Sequence, residues 1–438
     1  MTERDVSPIE KSTMRRVTWR IVPFLMVCYL FAIIDRGNIG MASLQMNQDL
    51  GLSKAAFGFA SSLFFVSYFL AEVPSNIAME RFGARLWIAR IMITWGLLSA
   101  ATSMVAGETS LYVMRFLLGA AEAGFFPGVL LYLSYWLPAA YRARLVAIFM
   151  VSIPAANFIG APISGALLSM DGLLGLRGWH WIFILEGIPA TLLGIACLFV
   201  LSDRPEQARW LSDEQRGWLA QRLATENAGK RMVEHTSFWR LARNPMIWAM
   251  ALIYAGPSAT STTLSVWQPQ LIKAFGGLSN FETGVLSALP FGVASLLMVW
   301  WGRSSDRSGE RRWHSAGPLI LIAASIVATF STLALWPTMV LLSAILVGAY
   351  SAKGPFWALS YEMLSPRTVA AGLAMIGATS NLIGGGVTVN IYGFVLERTG
   401  SYSLALLPLA GLNLVGAALL LLLTRRGRAQ ASQPADIA

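Results

Sequence analysis

Charge is what this sequence has least of. Only 13% of its 438 residues are Asp, Glu, Lys or Arg, against about 25% in a soluble domain. Histidine is scarcer still: His180, His235 and His314 are the three present, too scattered for a helical zinc motif. The two cysteines, Cys28 and Cys197, sit in long apolar runs without C-x-x-C spacing. That argues against a disulfide framework and a thiolate metal centre, and leaves them as packing residues. No G-x-x-x-x-G-K-[ST] loop and no G-x-S-x-G elbow occurs, so the usual signatures of ATP hydrolysis and of soluble-type catalysis are missing. We expect no enzyme, no metal and no cofactor.

What is abundant is apolar length. Hydrophobic residues make up 55% of the chain, and the mean hydropathy is +0.58. Taking about twenty residues as one crossing of a bilayer, the runs predict helices near 19–40, 56–78, 87–106, 109–133, 145–168 and 181–201. A second set follows near 245–271, 281–301, 315–335, 338–360, 370–395 and 403–424. The expected fold is therefore all-α and integral to the membrane, with twelve transmembrane helices in two six-helix bundles. Residues 1–201 form the first bundle, 202–244 a cytoplasmic linker, and 245–438 the second bundle with a short cytoplasmic tail. The first run continues into Asp35-Arg36 without a small-residue cleavage pattern, so it reads as a retained helix and not as a signal peptide.

The formal net charge of +10 raises nucleic acid as a partner, but the basic residues flank apolar runs and form no aromatic-interleaved patch. Placing both termini in the cytoplasm puts 26 Lys and Arg in inside segments and 4 in outside loops. This is the positive-inside bias of a protein of the cell's inner membrane. In the linker, Ser212 with Gln215 resembles a capping box, and Trp210, Trp218 and Leu219 are placed to rest on the membrane surface. A repeat offset by 226 residues links ERFGAR (Glu80, Arg81, Gly83, Arg85) with DRSGER (Asp306, Arg307, Gly309, Arg311). Parallel six-helix repeats with a site at the midplane between them are a known transporter plan.

Gly302 to Arg312, GRSSDRSGERR, closely resembles the loop signature of the major facilitator superfamily, and Pro74 to Arg85 is its degenerate partner. An acid at a helix end facing arginines of the next loop can latch two helices in one state and release them in another; plain positive-inside anchoring is the simpler alternative. IIDRGNIG, VPSNIAMERFG, RFLLGAAEAGFFPG and GWHWIFILEGIPA together resemble the anion:cation symporter family within it. That resemblance implies transport of tartrate, phthalate, sugar acids or related carboxylates, commonly with protons. It also implies roles by position. Asp35 and Glu122 match the protonatable pair of galactonate-transporting relatives, Arg36 and Arg115 match their substrate-contacting arginines, and Tyr68 and Asn381 carry over as substrate contacts. One departure is Ile33, where those relatives have a tyrosine, which weakens sugar-hydroxyl recognition.

The residues support this reading independently. An ionisable group deep in a bilayer costs roughly 2.5 to 3.5 kcal/mol, so each is a functional candidate by default. Arg36 and Arg115 are expected about 6 to 9 Å below the outer boundary, with Glu122 roughly 10 Å deeper on the Arg115 face. The plainer alternatives are an interfacial Asp35-Arg36 pair and an intrahelical Arg115-Glu122 pair. Glu72 and Glu186, near helix ends, read as structural. Lys353, followed by Gly354-Pro355, is expected at a helix break with its ammonium toward a cavity. Ser258 to Gln270 reads as a polar, broken segment from which Gln268 is a candidate, although serine and threonine hydroxyls often bond their own helix.

Three cavity cations favour an anion. The expectation is proton-coupled uptake of a small organic carboxylate by a monomer in the lipid bilayer, with a dicarboxylate bridging Arg115 and Lys353. Alternatives are a sugar-acid or aromatic monocarboxylate symporter, a proton-driven exporter suggested by Gly160-x-Pro162-x-x-Gly165, a phosphate-ester antiporter, and an anion receptor that does not transport.

Overall fold

Helices of this length and apolarity can bury a backbone in lipid because every internal N–H and C=O is paired within the segment. The computed structural model describes residues 7–228, 243–332, 334–364 and 368–431, and no strand occurs among them. The helices are α1 (Pro8–Asp49), α2 (Lys54–Phe82), α3 (Ala84–Ala101), α4 (Glu108–Glu122), α5 (Phe125–Trp136), α6 (Ala139–Leu168), α7 (Gly178–Val200) and α8 (Asp213–Ala228). After the linker come α9 (Pro245–Lys273), α10 (Asn280–Ser308), α11 (Arg312–Ala328), α12 (Leu335–Ser351), α13 (Lys353–Met363), α14 (Val369–Asn381), α15 (Val389–Thr399) and α16 (Tyr402–Ala431). Ten segments among the described residues are long and apolar enough to cross a membrane. α6, apolar from Ser152 to Leu168, and the more polar α9 complete the twelve expected.

Four helices depart from the expected runs. α1 extends to Asp49, nine residues beyond the apolar window, because its last turns are buried by other helices and need no lipid-compatible composition. Arg36 is therefore roughly 20 Å from the end of α1 and well below the expected depth. The fourth crossing breaks at Gly124, which takes a left-handed φ of 85° directly after Glu122. The eleventh contains a π-helical stretch, Leu382–Thr388, between α14 and α15. The expected break in the seventh is absent: α9 runs unbroken through Pro257 and Pro269, and Thr260 and Ser261 hydroxyls donate to the Gly256 and Pro257 carbonyls.

The linker also differs from expectation. The capping box at Ser212 and Gln215 forms in both directions. Trp210, however, stacks on Trp136 at 5.4 Å, and Leu219 is wholly buried in the first-half core with Trp218 against it. These side chains cover protein, where their apolar area is removed from water altogether. Residues 229–242, with His235, lie outside the described residues.

The apolar cores show how the halves meet. One core, between Met14 and Leu223, belongs to the first half alone, and another, between Ile247 and Leu420, to the second alone. Both lie toward the end where the termini enter. The third joins Ile39, Phe57 and Trp179 to Trp267, Leu342 and Tyr392, so the halves are fused at the opposite end. There Lys54 donates to Gln270 at 2.7 Å, and the Ala55 N–H at the start of α2 donates to Glu397 at 2.6 Å. Trp267 donates to the Val389 carbonyl at 3.2 Å.

Small residues permit that closure. A Cβ on Gly393 would fall 2.6 Å from the Lys54 carbonyl oxygen, and 3.2 Å from Gly58 Cα. Gly393→Val should therefore prevent closure at this end while sparing each half. A cysteine at Ser258 is then expected to react with an impermeant maleimide added on the side away from the termini, at a rate at least about tenfold above that in the unsubstituted background. Equal rates would show that the contact does not gate the cavity.

Candidate functional site

The candidate site is built where α1, α2 and α4 cross. A Cβ on Gly119 would lie 2.1 Å from the Phe64 carbonyl oxygen, so glycine lets the α4 backbone touch α2 and brings the next turn, with Glu122, beneath α1. There Arg36 Nε donates to Glu122 Oε1 at 2.6 Å, with side-chain exposures of 23% and 0%. The partner of Glu122 is thus Arg36 from another helix and not Arg115 from its own. The Arg36 guanidinium also lies over the rings of Tyr68 (4.9 Å) and Phe64 (5.9 Å), which suits a planar, weakly hydrated cation. Its Nη2 and the second oxygen of Glu122 are buried without partners.

Arg115 is 1% exposed and sits 4.8 Å from the Phe64 ring centroid, on the same ring as Arg36. Its Nε and Nη1 have no hydrogen-bond partner. Asp35, one residue before Arg36, faces the other way, into the first half. It accepts from Asn38 (3.0 Å), Trp95 (2.6 Å) and the Ser99 hydroxyl. Asp35-Arg36 is not an interfacial pair: Asp35 is buried, and the two side chains serve different neighbours.

The second half contributes less charge. Lys353, at the junction of α12 and α13, donates to Ser261 at 3.1 Å and lies 4.4 Å from the Tyr350 ring centroid. It is partly exposed and has no carboxylate partner among the described residues. Asn381, exposed at the start of the π-helical stretch, accepts from Ser258 at 3.2 Å. Gln268 is wholly buried, donates to the Ser287 carbonyl at 2.9 Å, and lines a small cavity among α1, α6, α9 and α10.

The repeated motif is not used symmetrically. Arg311 pairs with Asp306 at 2.6 Å and approaches Glu362 of α13 at 3.9 Å, and Gly309 ends α10 with a φ of 64°. Arg307 is exposed, and Gly302 leaves open space around its α-carbon. In the first copy Glu80, Arg81 and Arg85 are exposed, while Gly83 takes a φ of 92°. The acid there is Asp203, whose carboxylate accepts the Arg85 backbone N–H at 2.9 Å. Asp203 was missed by sequence reasoning because it lies just beyond α7, 118 positions away. Glu186, expected to be structural, is 4% exposed within α7 and paired with no cation among the described residues.

A family model described as Major Facilitator Superfamily matches residues 25–389. The chain belongs to the major facilitator superfamily. This facilitator is 47% identical over 417 residues to a protein of Agrobacterium vitis named "Putative tartrate transporter", covering 95% of this chain and 92% of that one. It is 37% identical over 433 residues to a protein of Acinetobacter baumannii named "Quinolone resistance transporter", covering 98% of each. Among solved structures it superposes on a bacterial homolog of the human lysosomal transporter Spinster, described as inward-facing and occupied. The TM-score is 0.76 at 17% identity, covering 92% of this chain and 96% of that one. The facilitator is a multi-pass membrane transporter of a small molecule, with the all-helical fold expected, and not an enzyme.

Removing one member of a buried ion pair leaves the other uncompensated. Arg36→Leu should lower stability in detergent by about 3 kcal/mol, and adding Glu122→Gln should restore most of it. A double variant no more stable than the single one would mean that the pair is not energetically coupled.

Proposed function

We propose that this facilitator is a proton-coupled symporter that takes up a small organic carboxylate, with a dicarboxylate of tartrate or phthalate type favoured. It works as a monomer in the inner membrane with both termini in the cytoplasm. The observation that carries the reading is the distribution of cations. Arg36 is held by a carboxylate that a proton can neutralise, and Lys353, in the second half, has no acid partner among the described residues. The relative named as a tartrate transporter and the motif resemblance to anion:cation symporters support the same class.

The chemistry follows from competition for one guanidinium. With Glu122 ionised, Arg36 is satisfied within the protein. A proton on Glu122 weakens that bond and frees the partly exposed Arg36 guanidinium to take a substrate carboxylate through charge-assisted hydrogen bonds. Proton and anion therefore favour each other's binding, which is the linkage that symport requires. Arg115 is too enclosed in this conformation to be the direct clamp, so the bridging pair is Arg36 and Lys353, with Arg115 adding field from behind Phe64. A dianion spanning the halves binds best when they close on it, and this differential affinity drives alternating access.

A second reading, proton-driven export of a lipophilic drug, is favoured by the relative named as a quinolone resistance transporter and by Gly160-x-Pro162-x-x-Gly165. In the structure those glycines serve packing: Gly160 meets Ile34, and Gly165 meets the backbone of α10 at Asn280 and Gly284. Membrane-embedded cations such as Arg36 and Lys353 suit an anion better.

In proteoliposomes, Glu122→Gln is expected to abolish accumulation of tartrate or phthalate under an imposed pH gradient while sparing counterflow exchange. Normal concentrative uptake by that variant would remove Glu122 from the coupling. Competition separates mono- from dicarboxylates. Phthalate should outcompete benzoate in the wild type, and Lys353→Ala should reduce that preference about tenfold, the worth of one charge-assisted hydrogen bond. An unchanged preference would refute the bridging role of Lys353, and efflux of a fluoroquinolone with no anion uptake would favour export.

A further inference from the structure

Tyr254, Ser258, Ser261 and Ser265 follow one another along α9 at spacings of three and four residues, so they share one face of the helix. At the closed end this face meets the first half, where a Cβ on Gly40 of α1 would lie 2.8 Å from the Ser265 carbonyl oxygen. On α14, Gly377 and Asn381 are likewise one turn apart. They lead to Gly385, which meets the Phe65 ring of α2 in the first half. Toward the termini the two halves have separate cores. There the same faces of α9 and α14 leave the first half and border the space between the halves.

Three helices build two layers on this wall. In the polar layer Lys353 donates to Ser261 at 3.1 Å and Ser258 to Asn381 at 3.2 Å. One turn nearer the termini, Trp357 follows Lys353, Tyr254 precedes Ser258, and Gly377 precedes Asn381. These three also meet. The Tyr254 and Trp357 rings are 4.7 Å apart at 57°. Among the described residues, the edge of the Trp357 indole is all that comes within 4 Å of a Cβ on Gly377, at 3.7 Å. Phe356, 2% exposed, holds the two rings from behind, stacked on Tyr254 at 5.0 Å and edge-on to Trp357 at 5.5 Å. Both rings are half-buried. A Cβ on Gly354, three residues before Trp357, would meet nothing within 4 Å. A cation and an amide therefore adjoin a rigid aromatic corner, beside which glycine leaves room.

We propose that Tyr254, Trp357 and Gly377 are the ring-binding part of the substrate site, and that the transported anion is an aromatic carboxylate. The proposal rests on the carboxylate reading above and selects its phthalate branch. The two layers are about 5 Å apart, one helical turn, a span that a carboxylate and the ring bonded to it cover. With the carboxylate on Lys353, the ring lies beside Gly377 and makes offset or edge-on contact with the indole and the phenol. Tartrate has no ring to place there. Its hydroxyls would lose water against the indole face without a replacement partner, which is unfavourable.

The test is calorimetric titration of the purified full-length protein with phthalate, with its saturated counterpart cis-cyclohexane-1,2-dicarboxylate, and with tartrate. The first two carry the same pair of carboxylates on a flat and on a puckered ring. Phthalate should bind about tenfold more tightly than either of the others. Trp357→Leu, which keeps apolar bulk, should remove most of that preference, and Trp357→Phe should keep it. Gly377→Val, on another helix, should fill the space and weaken phthalate about tenfold without weakening tartrate. Equal affinity of the wild type for phthalate and its saturated counterpart would overturn the proposal with no variant needed, as would tartrate binding as tightly as phthalate. A preference that survives both Trp357→Leu and Gly377→Val would also overturn it. In each of these cases the carboxylate reading stands. If none of the three acids binds, that reading fails and the ring site fails with it.

Discussion

A carboxylate placed in the middle of a membrane must meet a cation or a proton, and in this facilitator Glu122 meets Arg36. Much of the first half is arranged around that contact. Gly119 allows α4 to touch α2 one turn earlier. Gly124 ends the helix just after Glu122, and the rings of Phe64 and Tyr68 lie against the guanidinium that completes the pair. The pair is asymmetric in exposure: the acid is sealed and the arginine is partly exposed.

The halves divide the work unequally. The fully buried acids, Asp35, Glu122 and Glu186, belong to the first half, while the second offers Lys353 and the amide of Asn381. The second half also holds the irregular backbone, at the α12–α13 junction and in the π-helical stretch, where three consecutive glycines (Gly384 to Gly386) let the helix change its pitch. Closure at the end away from the termini depends on backbone contact at Gly58 and Gly393 and on side chains such as Lys54 and Glu397 that reach across. Contacts of this kind are made or lost as a set, which gives the molecule two discrete arrangements.

The duplicated loop motif shows how similar sequence can serve different local needs. In the second copy its own Asp306 pairs with Arg311, which also approaches Glu362, so loop and helix end are tied by side chains. In the first, the left-handed Gly83 starts α3, and the incoming N-terminus is capped by Asp203 from beyond α7. A helix N-terminus carries unsatisfied N–H groups, and any nearby carboxylate can meet them, whether or not it lies within the motif.

Apolar run lengths, the distribution of Lys and Arg, and the paired motifs were enough to determine the membrane class, the twelve-helix plan and the major facilitator fold, because lipid imposes length and composition on each crossing by itself. The same scarcity of charge singled out Asp35, Arg36, Arg115, Glu122 and Lys353. Tertiary structure alone decided which of these meet. A helical period places Arg115 and Glu122 on one face, but the orientation of α1 against α4 gives Glu122 to Arg36 and turns Asp35 away. Gln268, a cavity candidate from its polarity, does line a cavity, one shared by residues of both halves. Glu186 reads as structural from its place near a helix end, and only the packing of α7 shows that its second oxygen is buried without a partner. Pairings of this kind depend on contacts between residues far apart in sequence, and no local pattern encodes them.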